Sequence, residues 1–290
     1  MSIDENGFLD DDAASWIVKH REDLNELLDV CQQINRLAQT SLYKLRIHNE
    51  DLQEMLVALL FVRALSSHQT SILLIERGLA HEARIILRHQ LEILFKLRAV
   101  SLDRQVAQAY VQEDEVFRRK FMNKFKMLSA EVQRAHGDPQ VNELLAQVNQ
   151  NIEAKGIEER QTQWYAQRAG LSDFYNSAYS LFSSTVHANA RDLESHVRTD
   201  ENGRVVEILY GPDVARGLDL LLLTGGEAQC LILQDVGRTF TLKIEEPVQR
   251  LHELLKALMQ ALGRGGPVAP AGELSPVPQE RGQLVPGRTC

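Results

Sequence analysis

Apolar residues recur along this chain at steps of three and four, the repeat that keeps side chains on one face of an α-helix. The first run is Ile17, Leu24, Leu27, Cys31, Ile34 and Leu37. It follows Asp10-Asp11-Asp12, acidic residues suited to capping a helix and to its dipole. A second run, Leu52, Met55, Leu56, Leu59 and Leu60, predicts a helix from about Asn49 to Arg77, with Gly78 as its stop. A third helix is predicted from about Leu79 to Val100. A fourth starts near Asp103, carries Val106, Tyr110, Phe117, Phe121, Phe125, Leu128 and Val132, and ends at His136-Gly137-Asp138-Pro139. A short fifth helix runs to about Lys155. A loop past Trp164 and Gly170 then leads into a sixth, from about Ser172 to Val197.

The helical repeat is lost between Thr199 and Tyr210. Asn202-Gly203, a tight-turn dipeptide, precedes Val205, Val206, Ile208 and Leu209, so the segment reads as a small β-hairpin or one extended strand. Pro212 suits the first turn of a seventh helix, which carries Leu220 to Leu223 and Cys230 to Leu233. Gly225-Gly226 inside that helix costs about 1 kcal/mol per glycine relative to alanine. A kink or close helix crossing accounts for the pair better than a ligand loop. Pro247 opens an eighth helix. From Gly263 onward, Gly and Pro supply 11 of 28 residues, which predicts a disordered tail. The expected fold is all-α, a multi-helix bundle of about eight helices. Its expected parts are an N-terminal helical segment 1–48, a bundle 49–262 and a tail 263–290.

Composition narrows the function classes. The 290 residues are 25% charged with a net charge of −8, so extended nucleic-acid binding is disfavoured unless a local basic patch overrides the total. Arg118, Arg119, Lys120, Lys124 and Lys126 form one such cluster, although a run of this kind is more often a solvated helix face. The acidic start does not resemble a signal peptide. The stretch Leu218 to Leu233 is broken by Asp219, Gly225, Gly226, Glu227 and Gln229, so no membrane span is expected. Three scattered cysteines, Cys31, Cys230 and Cys290, imply a reducing, cytoplasmic setting without a disulfide framework.

Two helices stand out. The 17 positions between Asp173 and Arg191 hold no charged residue, which predicts a sixth helix buried nearly all round. Tyr175, Tyr179, Ser183 and His187 follow at four-residue steps as one slowly drifting stripe. A core histidine satisfied by a hydrogen bond is the plain reading of His187; a cleft-lining histidine able to do acid–base work is the functional one. The third helix has an apolar face through Ala83, Leu87, Leu91 and Leu94, opposite His81, Arg84, Arg88, His89, Glu92 and Lys96. Ile85 and Phe95 lie inside that polar face, which suggests it is partly covered. A covered Arg88 needs a partner, and Glu92 is four residues away.

These residues also carry a resemblance. Gly78-Leu79-Ala80-His81-Glu82-Ala83, then Leu87-Arg88-His89-Gln90-Leu91-Glu92, resembles one signature of a bacterial domain-of-unknown-function family, number five-six-seven-seven in its series. Trp164, followed by Tyr175, Tyr179, Ser183, Val186 and His187, resembles the second. The resemblance spans roughly residues 50 to 240. It implies a helical domain in which Arg88, Glu92, Tyr179, Ser183 and His187 matter, and it supplies no activity.

Other constellations carry less. A helical ribonuclease class, the HEPN fold, uses Arg followed four to six residues later by His. Arg84–His89, Arg63–His68 and Arg191–His196 all fit, but chance alone supplies about two such matches in this composition. No Glu has His three residues later, as a di-metal site of ferritin type requires, and no metal or cofactor is expected. Ser183 or Ser184 with His187 lacks the strand–turn–helix elbow of a nucleophile. The expected function is therefore a cytoplasmic module that binds a protein or small ligand, with homo-oligomers open. Its candidate polar site is Arg84, Arg88, Glu92, Tyr179, Ser183 and His187. The alternative is a metal-independent HEPN-like ribonuclease using Arg84, Arg88 and His89 or His187.

Overall fold

Asp51 closes the start of the helix α3, Leu52–Glu76: its carboxylate accepts from the backbone N–H groups of Gln53 and Glu54. At the other end Gly78, at φ +73°, donates to the Ile75 carbonyl while Leu79 donates to that of Leu74. The chain then turns directly into α4, Ala80–Leu102. Asp103 caps α5, Arg104–Lys126, by accepting from the Gln105 N–H. The structure, a computed structural model, describes residues 7–9, 16–136, 141–186, 193–212 and 217–263.

Several predicted helices are divided. The first becomes α1, Trp16–His20, a 3₁₀ turn at Glu22–Leu24, and α2, Asn25–Leu42. The break falls at Arg21, whose guanidinium pairs with the Asp23 carboxylate through two bonds of 2.8 Å while its backbone leaves the helical region. The fourth becomes α5 and α6, Ala130–His136, because the Gln133 amide donates to the carbonyls of Lys126 and Leu128 and holds a turn between them. α7 spans Val141–Lys155. Trp164, expected in a loop, lies on a short α8, Thr162–Arg168. α9, Ser172–Phe174, runs into a π-helical turn at Tyr175–Tyr179 and on into α10, Ser180–Val186.

The hairpin is present: β1, Val197–Thr199, pairs antiparallel with β2, Val205–Ile208. Its turn holds Gly203 at φ +76°, and Asp200 accepts from the N–H groups of Asn202 and Arg204. α11 spans Leu218–Thr239, and α12, Glu245–Ala261, carries Pro247 in its first turn. Pro212 does not sit in the first turn of α11. It packs on Gly78, where an added Cβ would lie 2.7 Å from the proline Cβ. The expected disordered tail, from residue 264 on, lies outside the described residues.

α11 is the hub, and its two glycines explain how. A Cβ on Gly225 would lie 2.8 Å from Leu87 Cδ2 of α4. One on Gly226 would lie 3.1 Å from Leu255 of α12 and 3.4 Å from the Cys31 sulfur of α2. The bare backbone thus lets α4 close on one side and α2 with α12 on the other. Across the first crossing, the buried Gln90 amide donates to the Gly225 carbonyl at 3.3 Å and to Gln229 at 3.2 Å. The principal core joins buried residues of α2, α3, α4, α11 and α12, with Tyr165 of α8 and Phe182 of α10. Val116, Val148, Ile152 and Ile157 form a smaller cluster between α5 and α7.

α3, rather than the first half of α11, is the helix long and apolar enough to cross a membrane among the described residues. Over half of its most apolar window (56%) is buried against the other helices. It also brings His68 into the core, where the ring is 1% exposed and donates from Nε2 to the Cys31 carbonyl at 3.3 Å. Burial pushes its pKa down to about 4.

Two outcomes follow from this packing. Gly225→Val should lower stability by about 2–3 kcal/mol through overpacking against Leu87. Combining it with Leu87→Ala should cost less than the sum of the two single changes, as measured by urea unfolding. His68 binds its proton more weakly when folded than when unfolded, so the unfolded chain takes up protons first as pH falls below about 6.5. Stability should be fully present near neutrality and decline by roughly 1 kcal/mol per pH unit from about pH 6 toward 4. In His68→Gln, the decline over that window should be shallower.

Candidate functional site

Four residues of α4, Arg84, Arg88, Glu92 and Lys96, follow at four-residue steps and share one slowly drifting stripe. The stripe is covered: Arg88, Glu92 and Lys96 are each only about a quarter exposed. The cover comes from α8, the π-helical turn and α10. Phe95, the apolar residue within the polar face, is fully buried and stands edge-on to Tyr179, with ring centres 5.7 Å apart.

Arg88 is the centre. Its Nη2 donates to the Tyr179 hydroxyl at 2.8 Å, its Nε to Ser183 Oγ at 3.2 Å, and its Nη1 reaches Glu92 Oε2 at 3.5 Å. The guanidinium carbon also lies 4.9 Å from the Tyr179 ring centre. Ser183 donates its own proton to the Tyr179 carbonyl at 2.8 Å, which leaves its oxygen to accept from Arg88. Glu92 takes a second cation through Oε1, with Lys96 Nζ at 2.8 Å. From Lys96 the polar row continues. Its ammonium is 6.0 Å from the Tyr165 ring centre, Tyr165 donates to Glu113 at 2.7 Å, and Glu113 pairs with Arg160 at 3.5 Å. Burial pushes the Glu113 carboxyl up and, together with the Glu113 charge, the Tyr165 hydroxyl up as well. Arg160 and Arg168 both approach the Trp164 ring, at 4.9 and 5.1 Å.

The π-helical turn is what aims the facing helix. Its wider winding stacks Tyr175 on Tyr179, with ring centres 5.1 Å apart, and Ser180 donates to the carbonyl of Tyr175 five residues back. Such turns concentrate at functional sites. The sixth predicted helix is not buried all round: Asn176, Ser180, Leu181, Ser184 and Val186 are exposed. Its serines replace a charged stripe by bonding back to their own backbone, so it can face water without lysine or glutamate.

Where α4 begins, Gly78, His81, Glu82 and Arg84 meet the hairpin around an open cavity of about 470 Å³. His196, Glu207 and Tyr210 line its far wall, and the rings of His81 and His196 are 5.5 Å apart. Glu207 is paired with Arg198 at 2.8 Å. Of the predicted site residues, Arg88, Glu92, Tyr179 and Ser183 converge. Arg84 instead lines the cavity one turn away. His187 lies outside the described residues. Sequence reasoning missed Lys96, Tyr165, Glu113 and His196 as site neighbours. Only Lys96 had a signal, its four-residue spacing from Glu92. No group of three His, Cys, Asp or Glu side chains able to hold a metal occurs among the described residues.

Chemically, this arrangement holds and orients: Ser183 gives its proton to the Tyr179 carbonyl and accepts one from Arg88. Along α4 the stripe carries Arg84, Arg88 and Lys96 against Glu92 alone, a local cationic excess on an acidic chain. The chain belongs to the family of unknown function DUF5677, whose model matches residues 54–204. The match takes in both resembling signatures and the whole of the stripe, and it ends before α11. No curated protein and no solved structure matches the chain.

Arg88→Ala should cost about 1–3 kcal/mol, since Glu92, Ser183 and Tyr179 lose their shared donor in a half-covered setting. Lys124→Ala, at an exposed position on α5, should change stability by under about 0.5 kcal/mol. Equal melting temperatures for the two variants would show that water replaces the Arg88 contacts without loss.

Proposed function

We propose that this chain is a binding module that takes a small anionic ligand in the cavity where α4 begins, with Arg84 as the charged contact. The observation that carries the reading is the meeting of Arg84, His81 and His196 around 470 Å³ of open space, beside a stripe whose charges sum to positive. Of the two carboxylates that also line it, Glu207 is neutralised by Arg198 and Glu82 is not part of the stripe. Pockets of this size, with few convergent polar groups, are the usual places for small ligands. The Arg88 cluster lies one turn further along α4 than Arg84. It fixes α10 and the π-helical turn against α4. The buried thiols Cys31 and Cys230 favour the reducing, cytoplasmic setting expected from the sequence.

The ribonuclease alternative has less support. Arg84 and His89 are five residues apart, so they project about 140° apart around α4. His89 Nε2 is engaged by Arg63 of α3 at 3.2 Å, and burial with the neighbouring Arg63 charge pushes its pKa down. That divergence disfavours the Arg84–His89 pairing, while His187, the other histidine of this alternative, lies outside the described residues.

A melting-temperature screen against carboxylates, phosphate esters and nucleotides tests the proposal. One class should raise the melting temperature of the parent by several degrees, and Arg84→Ala should abolish the rise while Lys124→Ala keeps it. A rise that survives both Arg84→Ala and His196→Ala would move the ligand out of this cavity. Cleavage of labelled RNA by the parent, lost in His89→Ala, would favour the enzyme instead.

A further inference from the structure

α3 carries a continuous exposed stripe that no other described element covers. Met55, Leu59, Val62 and Leu73 are 37%, 59%, 42% and 53% exposed, and Ser66 and Thr70 complete the row at steps of three and four. Both hydroxyls are turned back into the helix: Ser66 donates to the Val62 carbonyl at 3.0 Å and Thr70 to that of Ser66 at 2.8 Å. They therefore present methylene and methyl surface and would strand no donor if water left. The neighbouring charge, Arg63, reaches toward His89 of α4. Scattered exposed apolar residues are ordinary on a protein surface. A row about 27 Å long, on a helix apolar enough to be buried on every side, marks an interface.

We propose that the occupant is a second copy of this chain, its α3 packed antiparallel on the first about a two-fold axis that passes between Val62 and Ser66. The stripe is complementary to itself under that operation and self-matching is what a two-fold interface requires. Val62 comes opposite Ser66 next to the axis, Leu59 opposite Thr70, and Met55 opposite Leu73 at the ends. The small residues sit at the centre, where the backbones approach most closely, and the long ones close the two ends. The same operation brings the exposed Glu50 at the start of one helix, beside Asp51 and Glu54 that already pair with Arg104 and His48, toward Arg77 at the end of the other. A parallel pair would set like charges and like helix dipoles together. One helix seam buries less than a standard interface, so the dimer is reversible, with a dissociation constant in the micromolar range.

Sedimentation velocity of the full chain from about 1 to 100 µM tests this. The parent should pass from 32.8 kDa to about 66 kDa across that range. Leu59→Glu and, separately, Val62→Lys should stay monomeric with melting temperatures unchanged when measured in the dilute, monomeric range, because both positions are exposed. For orientation, Met55→Cys and Leu73→Cys chains are made in a Cys290→Ser background. They should form a disulfide with each other when mixed, and neither should link to itself. A parent that is monomeric at 100 µM, dimers that survive both substitutions, or self-linking of Met55→Cys would overturn the proposal. So would a monomeric parent that floats with phosphatidylcholine vesicles, which would assign the stripe to a lipid surface.

Discussion

The close crossing of α11 with its neighbours is the constraint on which the bundle depends. At Gly225 and Gly226 the backbone has no side chain to hold other helices off, so Leu87 packs from one side and Leu255 with Cys31 from the other. Each glycine lowers intrinsic helix stability by about 1 kcal/mol. Burial of the surrounding leucines and isoleucines offsets that cost. The crossing also sets the rotation of α4. With Leu87, Gln90 and Leu94 directed at the core, Arg88, Glu92 and Lys96 must point away from it.

That rotation creates an electrostatic problem which the rest of the chain solves. Two cations, Arg88 and Lys96, and one carboxylate, Glu92, emerge under the cover of α8 and α10, where water reaches them only in part. Their partners are distributed over distant segments: Tyr179 and Ser183 for Arg88, and Glu92 between Arg88 and Lys96. The same logic appears at Asp235 of α11, whose side chain is fully buried. Burial raises its pKa to about 6 while Arg98 and Arg238 draw it back. At these two places charged groups are covered in networks, not singly, because an isolated one would lose its hydration without return.

α3 stands apart from these polar elements. One face of it supplies Val57, Phe61, Ala64 and Leu65 to the core, and the other remains apolar yet exposed. The repeat Leu52, Met55, Leu56, Leu59 and Leu60 reads as one face, but neighbours decide which side is hidden: Leu56 and Leu60 are buried, whereas Met55 and Leu59 are exposed. Met55, Leu59, Val62 and Leu73 are what those neighbours leave uncovered.

The sequence by itself determined the all-α class, the helix start near Asp103, the stop at Gly78, the hairpin turn at Gly203, and the Arg88–Glu92 pairing. All of these are set within a few residues by backbone conformation or helical spacing. It also marked Tyr179 and Ser183 by their repeat and by the family resemblance, but their spacing from Arg88 along the chain, over 90 residues, contains no information on contact. Only the tertiary structure joined them, and only it separated Arg84 into the cavity with His196. It also divided the predicted first and fourth helices, where the Arg21–Asp23 pair and the Gln133 amide outweigh local propensity. The uncharged stretch of the sixth helix misled in a specific way. Absence of charge suggested complete burial, whereas serines that satisfy themselves let one face remain in water. The reason is general: short-range hydrogen bonding is written in neighbouring residues, but which apolar face is buried, and which polar groups must share partners there, depends on helices far apart in sequence.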